Sequence, residues 1–463
     1  MADHMSSDEI ISLVQHGWDG CSIPANLKNL LENLPTWKHL RIMRPPESHS
    51  GVELYFPWDV CYDTSGICYM PAMEMGKLLA EGTYGKVYRA RRSQFRPVDE
   101  KKFERSIPFH DIVCKQNDIE ITDDEKRLAR PAQEAAYEAE IQAILYEATI
   151  HALVYHTLCK HAMSSAAPAL YEVYAFSPKR KPLFASEITK VAMNMEYVSG
   201  KTLFDYLKTH MLPTSSKHQN DEFLIDVLIQ LCVYLDILQK RLRFNHRDLK
   251  VNNILLREHI QGSSWSSEIT HKVLPRPWTR TSDVVIIDFG FSCIACGEDN
   301  TSLVQAGCWF KPSHECMKPG RDLALFLYSL QVYFPLESRI SPELFSILEK
   351  ATHAKIRAPM APEKTVPLFD GVDEKGRWPK KPLEFNTGIY KLLRSADADV
   401  PGCAPQHLMR RLFALHASRV SITDSIVVGP RPRLHSGSRS SRGSRSSQGS
   451  STSQESHGGP KGL

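Results

Sequence analysis

The chain has 463 residues, 42% of them hydrophobic and 24% charged. That balance excludes a fibrous or wholly disordered protein, and the length holds one large two-lobed domain or two ordinary ones. The net charge of +4 is concentrated at one end: residues 429–463 carry five Arg and one Lys against one Glu, a net of +5 that leaves the other 428 residues at −1, so a general nucleic-acid-binding surface is not expected.

No apolar run is long enough to cross a bilayer, and Met1-Ala2-Asp3-His4 does not open a charged-then-apolar signal segment. Without such a segment, the eleven cysteines read as reduced thiols, and the expected setting is cytoplasmic or nuclear. Residues 1–70 form an N-terminal extension with a predicted helix over Pro24 to Leu34 and an aromatic patch at Tyr55-Phe56-Pro57-Trp58. No function attaches to it.

Strands are predicted at Lys77–Ala80 and Lys86–Ala90, joined by the turn Glu81-Gly82-Thr83-Tyr84-Gly85. A third, Asp111-Ile112-Val113-Cys114-Lys115, follows a polar stretch from Arg91 to Phe109. Pro131 to Tyr155 reads as a long helix, and strands recur near Tyr171–Ala175 and Ala192–Val198. Leu224, Val227, Leu228, Leu231, Leu235, Leu238 and Leu242 repeat at spacings of three and four, which predicts a helix with a buried face. Arg257 to Ser282, with Gly, Ser, Pro and two Trp, is expected to be a surface loop. Val284-Val285-Ile286-Ile287 reads as a buried strand. The tail from Gly429, with eleven Ser and seven Gly in 35 residues, is expected to be disordered.

The chemistry lies in His246-Arg247-Asp248-Leu249-Lys250-Val251-Asn252-Asn253 and, forty residues beyond Asp248, Asp288-Phe289-Gly290. A carboxylate, a cation, an amide and a second carboxylate are what phosphoryl transfer from ATP to a hydroxyl needs. The two runs fill every fixed position of H-R-D-L-x-x-x-N and D-F-G, and in this they resemble eukaryotic-type protein kinases. The resemblance implies an α+β, two-lobed kinase-like fold. A small β-rich N-lobe with one main helix, and the hinge, would take residues 71–198. A larger helical C-lobe would take 199–428, with an insertion near 257–282, ahead of the tail at 429–463.

The resemblance also implies roles. Asp248 is the base, and Lys250 steadies charge on the transferred group, a lysine typical of the serine/threonine type. Asn253 and Asp288 would hold Mg2+. Ala80-Glu81-Gly82-Thr83-Tyr84-Gly85-Lys86-Val87 resembles G-x-G-x-x-G-x-V with Ala80 in place of the first glycine, which puts Ala80, Gly82, Gly85 and Val87 over ATP. Lys115 resembles the lysine of V-A-I-K, which holds the α- and β-phosphates and pairs with a helix glutamate. The helix offers Glu134, Glu138, Glu140 and Glu147; Glu140, ahead of Ile141 and Ile144-Leu145 in a run that resembles the family's E-I-x-x-L, is the expected partner, with Glu138 next. Val113, Leu255 and the hinge residues Met195, Glu196 and Val198 complete the expected nucleotide site. Read singly, the glycines are an ordinary turn, Lys115 a surface lysine and the hinge a plain strand. Their order around the two motifs favours the kinase reading.

Departures from the family pattern are visible too. The gap between Val87 and Lys115 implies an insertion at 92–109. After Phe291 no A-P-E motif is expected; the chain passes instead through Gly307-Cys308-Trp309-Phe310 to Arg321-Asp322-Leu323-Ala324-Leu325-Phe326. Asp322 resembles the aspartate that grips the catalytic-loop backbone, and the altered segment is similar to that of kinases from large DNA viruses. Cys293, Cys296, Cys308, His314 and Cys316 offer soft zinc ligands, but a second close pair is missing and reduced thiols are the preferred reading. Arg247 resembles kinases activated by phosphorylation, which makes Thr301 and Ser302 candidate sites. The expected activity is ATP- and magnesium-dependent phosphorylation of Ser or Thr in a protein substrate, with no membrane partner. A pseudokinase scaffold and a small-molecule kinase are the alternatives.

Overall fold

In the computed structural model a nine-stranded sheet, several smaller sheets and six α-helices make up the described part of the chain, a mix of α and β. The structure describes residues 36–49, 52–59, 61–62, 68–82, 85–97, 103–161, 163, 165–258, 268–295, 302–306, 316–358, 361–368 and 398–427. The predicted helix at Pro24 to Leu34 and the tail from Gly429 lie outside these residues, as do Thr301, Cys296, Cys308 and His314. The chain divides into the units Met1–Ser418 and Arg419–Leu463, and the elements that carry the site belong to the first.

Strands β1 (Arg41–Met43), β2 (Glu47–His49), β3 (Val52–Tyr55), β4 (Cys61–Tyr62), β5 (Cys68–Gly82), β6 (Gly85–Pro97), β7 (Phe103–Asp118), β8 (Leu170–Phe176) and β9 (Lys190–Glu196) form the large sheet. Their order is β1-β8-β9-β7-β6-β5-β3-β2, with β4 attached to β5. β1 runs parallel to β8, and the other pairs are antiparallel. The described residues of the insertion expected at 92–109, 92–97 and 103–109, are strand: they belong to β6 and β7, with Arg92 opposite His110 and Pro97 opposite Phe103, and 98–102 lie outside the described residues. A polar composition hid this, because strand arms beyond the core need no apolar alternation.

Side chains alternate across the sheet. Ile112 and Cys114 of β7 pack with Ala90 and Ala192 on one face. Helix α1 (Arg130–Lys160) covers the other, where its Ile141, Ile144, Leu145 and Ala148 meet Val173, Ala175, Val191 and Met193. Lys115, two residues along from Val113, therefore emerges on the helix-covered face.

The rest of the first unit is built around α3 (Lys217–Leu242), which follows α2 (Leu203–His210). From Leu224 to Gln239 every residue of α3 is buried, so this is a helix enclosed all round rather than one with a single apolar stripe. Packed with it are α4 (Arg321–Tyr333), α5 (Pro342–Ala351) and the first part of α6 (Pro405–Val427). Short strands carry the loops of the site. β10 (Gly200–Thr202) pairs β12 (Ile254–Arg257), which pairs β15 (Val284–Ile286). β11 (Phe244–Asn245) pairs β16 (Cys293–Ala295), which pairs β17 (Ser302–Gln305). No helix among the described residues is long and apolar enough to cross a membrane.

Of the surface loop expected at Arg257 to Ser282, residues 259–267 lie outside the described set, and the part from 268 to 282 departs from that expectation. Its strands β13 (Glu268–Ile269) and β14 (Trp278–Thr279) pair, and Ile269, Leu274 and Trp278 are buried in the main core. The cause is Asp226 on α3. Its Oδ1 accepts from Trp278 Nε1 at 2.8 Å, and its Oδ2 accepts from the backbone N–H groups of Thr281 and Ser282 at 3.0 Å and from their hydroxyls at 2.8 and 2.9 Å. Asp226→Ala would strand these donors in the core. It should lower the free energy of unfolding by about 2–4 kcal/mol in a denaturant titration; a loss under about 0.5 kcal/mol would show that the staple is incidental.

Candidate active site

Two side-chain clusters form, and the backbone stitches them together. In the first, Lys115 Nζ lies 2.6 Å from Glu147 Oε1 and 3.2 Å from Asp288 Oδ1. Lys115 and Glu147 are nearly enclosed, whereas the Asp288 side chain keeps 42% exposure and stays open to a ligand. Burial pulls the Lys115 ammonium down, but the two carboxylates outweigh it and leave its pKa above the ordinary lysine value. Lys115, against the opposing effect of burial, holds the Asp288 carboxyl down at about 2. Burial raises the Glu147 carboxyl, and Lys115 offsets part of that rise.

The partner of Lys115 is thus Glu147, not Glu140. Glu140 is exposed on α1, with burial nudging its carboxyl upward, and Glu138 accepts instead from Trp37 Nε1 at 3.2 Å. The E-I-x-x-L resemblance misled because it weighed letters without asking which carboxylate lies under the sheet. A partial signal did exist: Glu147 is a lone charge among Ile144, Leu145, Ala148, Ile150 and Leu153, and a carboxylate in such company must have a partner, although the pattern does not say which one.

In the second cluster Lys250 Nζ donates to Asp248 Oδ2 at 3.0 Å. Asn253 Nδ2 donates to the Asp248 carbonyl at 2.9 Å and to Oδ2 at 3.2 Å. The amide nitrogen of Asn253 is spent on Asp248. Ile287, one residue ahead of Asp288, joins the clusters. Its N–H donates to the Asn253 carbonyl at 3.0 Å, and its carbonyl accepts from His246 Nε2 at 3.1 Å.

Asp322, at the start of α4, holds the loop from beneath. Fully buried, it accepts from the N–H groups of His246 and Arg247 and from Asn245 Nδ2, each at 2.9 Å. Arg247 and Asp288 take left-handed backbone, with φ of 61° and 65°. Non-glycine residues hold that conformation only when the surroundings fix it. Phe289 is buried between two imidazoles, its ring centroid 4.9 Å from that of His151 and 5.4 Å from that of His246. His151, one turn beyond Glu147 on α1, was not anticipated from sequence; its Nε2 donates to the Pro168 carbonyl at 2.8 Å, and burial lowers its pKa to about 4.

Of the expected nucleotide-facing residues, Val87, Val113 and Met195 share the sheet face of Lys115, Glu196 pairs Ile112 on the opposite face, and Val198 and Leu255 lie outside the large sheet. Val87 lies directly opposite Lys115, and Val113 opposite Met195. Ala80 pairs Val87 and Gly82 pairs Gly85; residues 83 and 84 lie outside the described set. Val87, Val113, Met195 and Leu255 are only half-buried, whereas Val198 is closed over. Gly85 has a φ of +145°, and a Cβ there would sit 2.3 Å from the Gln116 carbonyl oxygen, so no side chain fits. The Glu196 N–H donates to the Ala169 carbonyl at 2.8 Å, and its carboxylate takes Arg257 of β12.

Cys293 and Cys316 form a disulfide, with Cα atoms 5.8 Å apart, which corrects the reading of these two as reduced thiols. Cys293 lies opposite Asn245 in the β11–β16 pair, and Lys318, two residues past Cys316, donates its N–H to Asn245 Oδ1 at 2.6 Å. The bridge thus ties both ends of the segment after Phe291 to the base of the loop from His246 to Asn253. Among the described residues no group of three or more His, Cys, Asp or Glu could hold a metal ion. The tripeptide Ala361-Pro362-Glu363 does occur, but on strand β19 (Ala361–Pro367), which pairs β18 (His353–Ala358), beyond the helix of Asp322.

No model of a known protein family matches the chain. It is similar to a protein of Invertebrate iridescent virus 3 named "Probable kinase 098L", 31% identical over 135 residues. That match takes in 28% of this chain and 23% of the relative, so the chain spans about a quarter of the length of the protein it matches. The similarity is distant and kinase-like.

Two measurements check this geometry. Cys293→Ser should lower stability by about 3 kcal/mol under non-reducing conditions, the value for opening a loop of this length, and a reductant should do the same to the parent. A parent indifferent to reductant would mean that the bridge does not form. His151 stays neutral in the fold while it protonates near pH 6.5 in the unfolded chain. Stability is therefore full above pH 6.5 and declines as pH falls towards 4, by about 2 kcal/mol between pH 7 and pH 5. Urea midpoints of His151→Leu should lack this component.

Proposed function

We propose that the chain is an ATP- and magnesium-dependent protein kinase that transfers the γ-phosphoryl group to Ser or Thr hydroxyls, with the two-lobed arrangement of that family. The observation that carries this reading is Lys115 held between Glu147 and Asp288, with the Asp248–Asn253 cluster bonded to the residue beside Asp288. The distant similarity to a viral protein named a probable kinase supports the coarser part of it, a kinase.

In this reading the nucleotide lies against Val87, Val113, Met195, Val198 and Leu255, under the strands that carry Ala80, Gly82 and Gly85. Lys115 meets the α- and β-phosphates, and Glu147 keeps its ammonium aimed at them. Asn253 Oδ1 and the open Asp288 carboxylate are hard oxygen donors of the kind Mg2+ takes, and two protein ligands leave room for water and phosphate. Bound there, the ion would neutralise charge on the β- and γ-phosphates. The acceptor hydroxyl gives its proton to Asp248 as its oxygen bonds to the γ-phosphorus; the bond to the bridging oxygen breaks and ADP departs with the electron pair. Lys250, already bonded to Asp248, faces the charge on the group in transit. Its place two residues after the base supports Ser/Thr rather than Tyr acceptors.

We place the activity in the cytoplasm or nucleus, although the Cys293–Cys316 bridge removes one support for that setting, since disulfides are rare there.

The test is transfer of label from γ-labelled ATP to a mixed protein acceptor in the presence of Mg2+. Label should appear on Ser or Thr, and Asp248→Asn and Asp288→Asn should each slow transfer by at least about 100-fold with the fold intact. Label reaching only sugars or aminoglycosides would make the protein a small-molecule kinase. No transfer to any acceptor would leave a scaffold.

A further inference from the structure

The kinase reading leaves the segment ahead of the large sheet without a task, yet two of its side chains are buried. Trp37 and Leu40 each retain 5% exposure. Both belong to the apolar cluster that seats α1 on the sheet, together with Ile141, Ile144, Leu145 and Ala148 of the helix. Trp37 also donates its indole N–H to Glu138 on α1 at 3.2 Å. Directly afterwards β1 binds the sheet edge, Arg41 opposite Tyr174 and Met43 opposite Phe176. Two further bonds fix its far end, from the Ser177 N–H to the Met43 carbonyl and from the Trp58 N–H to the Ile42 carbonyl. Residues 37–43 thus form a strap with one end on α1 and the other on the sheet.

The first ten residues of α1 have little else to hold them. From Pro131 to Glu140 none is buried. Tyr137 is half-buried against the same cluster, Arg130 lies over the Phe184 ring, and the other side-chain hydrogen bonds of this stretch are those of Ser186 to Glu134 and of Gln133 to the carbonyls of Lys126 and Leu128. Glu138 and Glu147 share one uninterrupted helix, nine residues or about 13 Å apart along its axis. A helix of this length moves as a rod, so whatever fixes Glu138 against the sheet also limits where Glu147 can sit.

We infer that Trp37 is a positioning residue for phosphoryl transfer: it pins the amino-terminal half of α1 so that the Glu147 carboxylate stays within reach of Lys115. This rests on the kinase reading, and it gives the N-terminal extension a task within the site.

The experiment pairs two readouts on the full chain. Hydrogen exchange of α1 amides reports the strap whether or not the protein is a kinase, and steady-state phosphoryl transfer with varied ATP reports the site. Trp37→Ala should speed exchange across residues 138–150 and lower kcat/KM for ATP by roughly tenfold, within the range by which remote residues bias a two-state element. Trp37→Phe, which refills the space, should recover most of both. In a Glu147→Gln background Trp37→Ala should add little, because the group it positions is already gone; an undiminished further loss there would point to a merely structural role and overturn the inference. Unchanged exchange and unchanged transfer in Trp37→Ala would overturn it as well. Should that variant not fold, Trp37→Leu takes its place with the same expected and contrary outcomes. If the parent transfers no phosphate at all, the kinase reading fails, while the exchange data still judge the strap.

Discussion

An ammonium group nearly closed off from water can remain charged only if carboxylates come with it, and the site depends on that constraint at Lys115. Glu147 arrives on a helix and Asp288 on a loop, and each partner presupposes a different part of the fold. The helix must seat on the sheet face that carries Lys115, and the strand ending at Ile286 must be paired on β12 to deliver Asp288. Removing one partner would leave a desolvated charge without compensation, which costs more than the pair contributes. Packing of the sheet and chemistry of the site are therefore one problem.

A second constraint is backbone satisfaction. The loop from His246 to Asn253 leaves regular structure while buried, and its N–H groups need acceptors. Asp322 supplies two of them, and Ser329 another, its Oγ accepting from the Val251 N–H at 3.2 Å. Both acceptors stand on α4, so the helix works as a rigid jig for the loop. The disulfide adds a covalent tie at the same place, where the chain has no A-P-E run to anchor the segment between Phe291 and Asp322.

Much of this was legible in the residues. The β-then-α order, the long helix after Lys115 and the helix with leucines at three and four follow from periodicity, and the grip of Asp322 was implied by the family resemblance, while the enclosure of the leucine helix on every side was not foreseen. Other features were not. The strand arms beyond Arg92 carry no apolar alternation because they extend past the core. The seating of Trp278, Thr281 and Ser282 depends on Asp226, more than fifty positions upstream, whose role no local pattern marks. Cys293 and Cys316 looked like reduced thiols because spacing says nothing about which sulfurs meet.

The choice between Glu140 and Glu147 shows where the line falls. Seven residues apart, they differ by only about 20° around a helix, so the phase of the apolar pattern, which the chain determines locally, cannot separate them. They differ by about 10 Å along the axis, and that coordinate is set by where α1 sits on the sheet. The residues alone determined which chemical groups are present and which helix carries the acid. Only the tertiary structure decided which acid meets the lysine, because axial position comes from packing between elements and not from the sequence of either one.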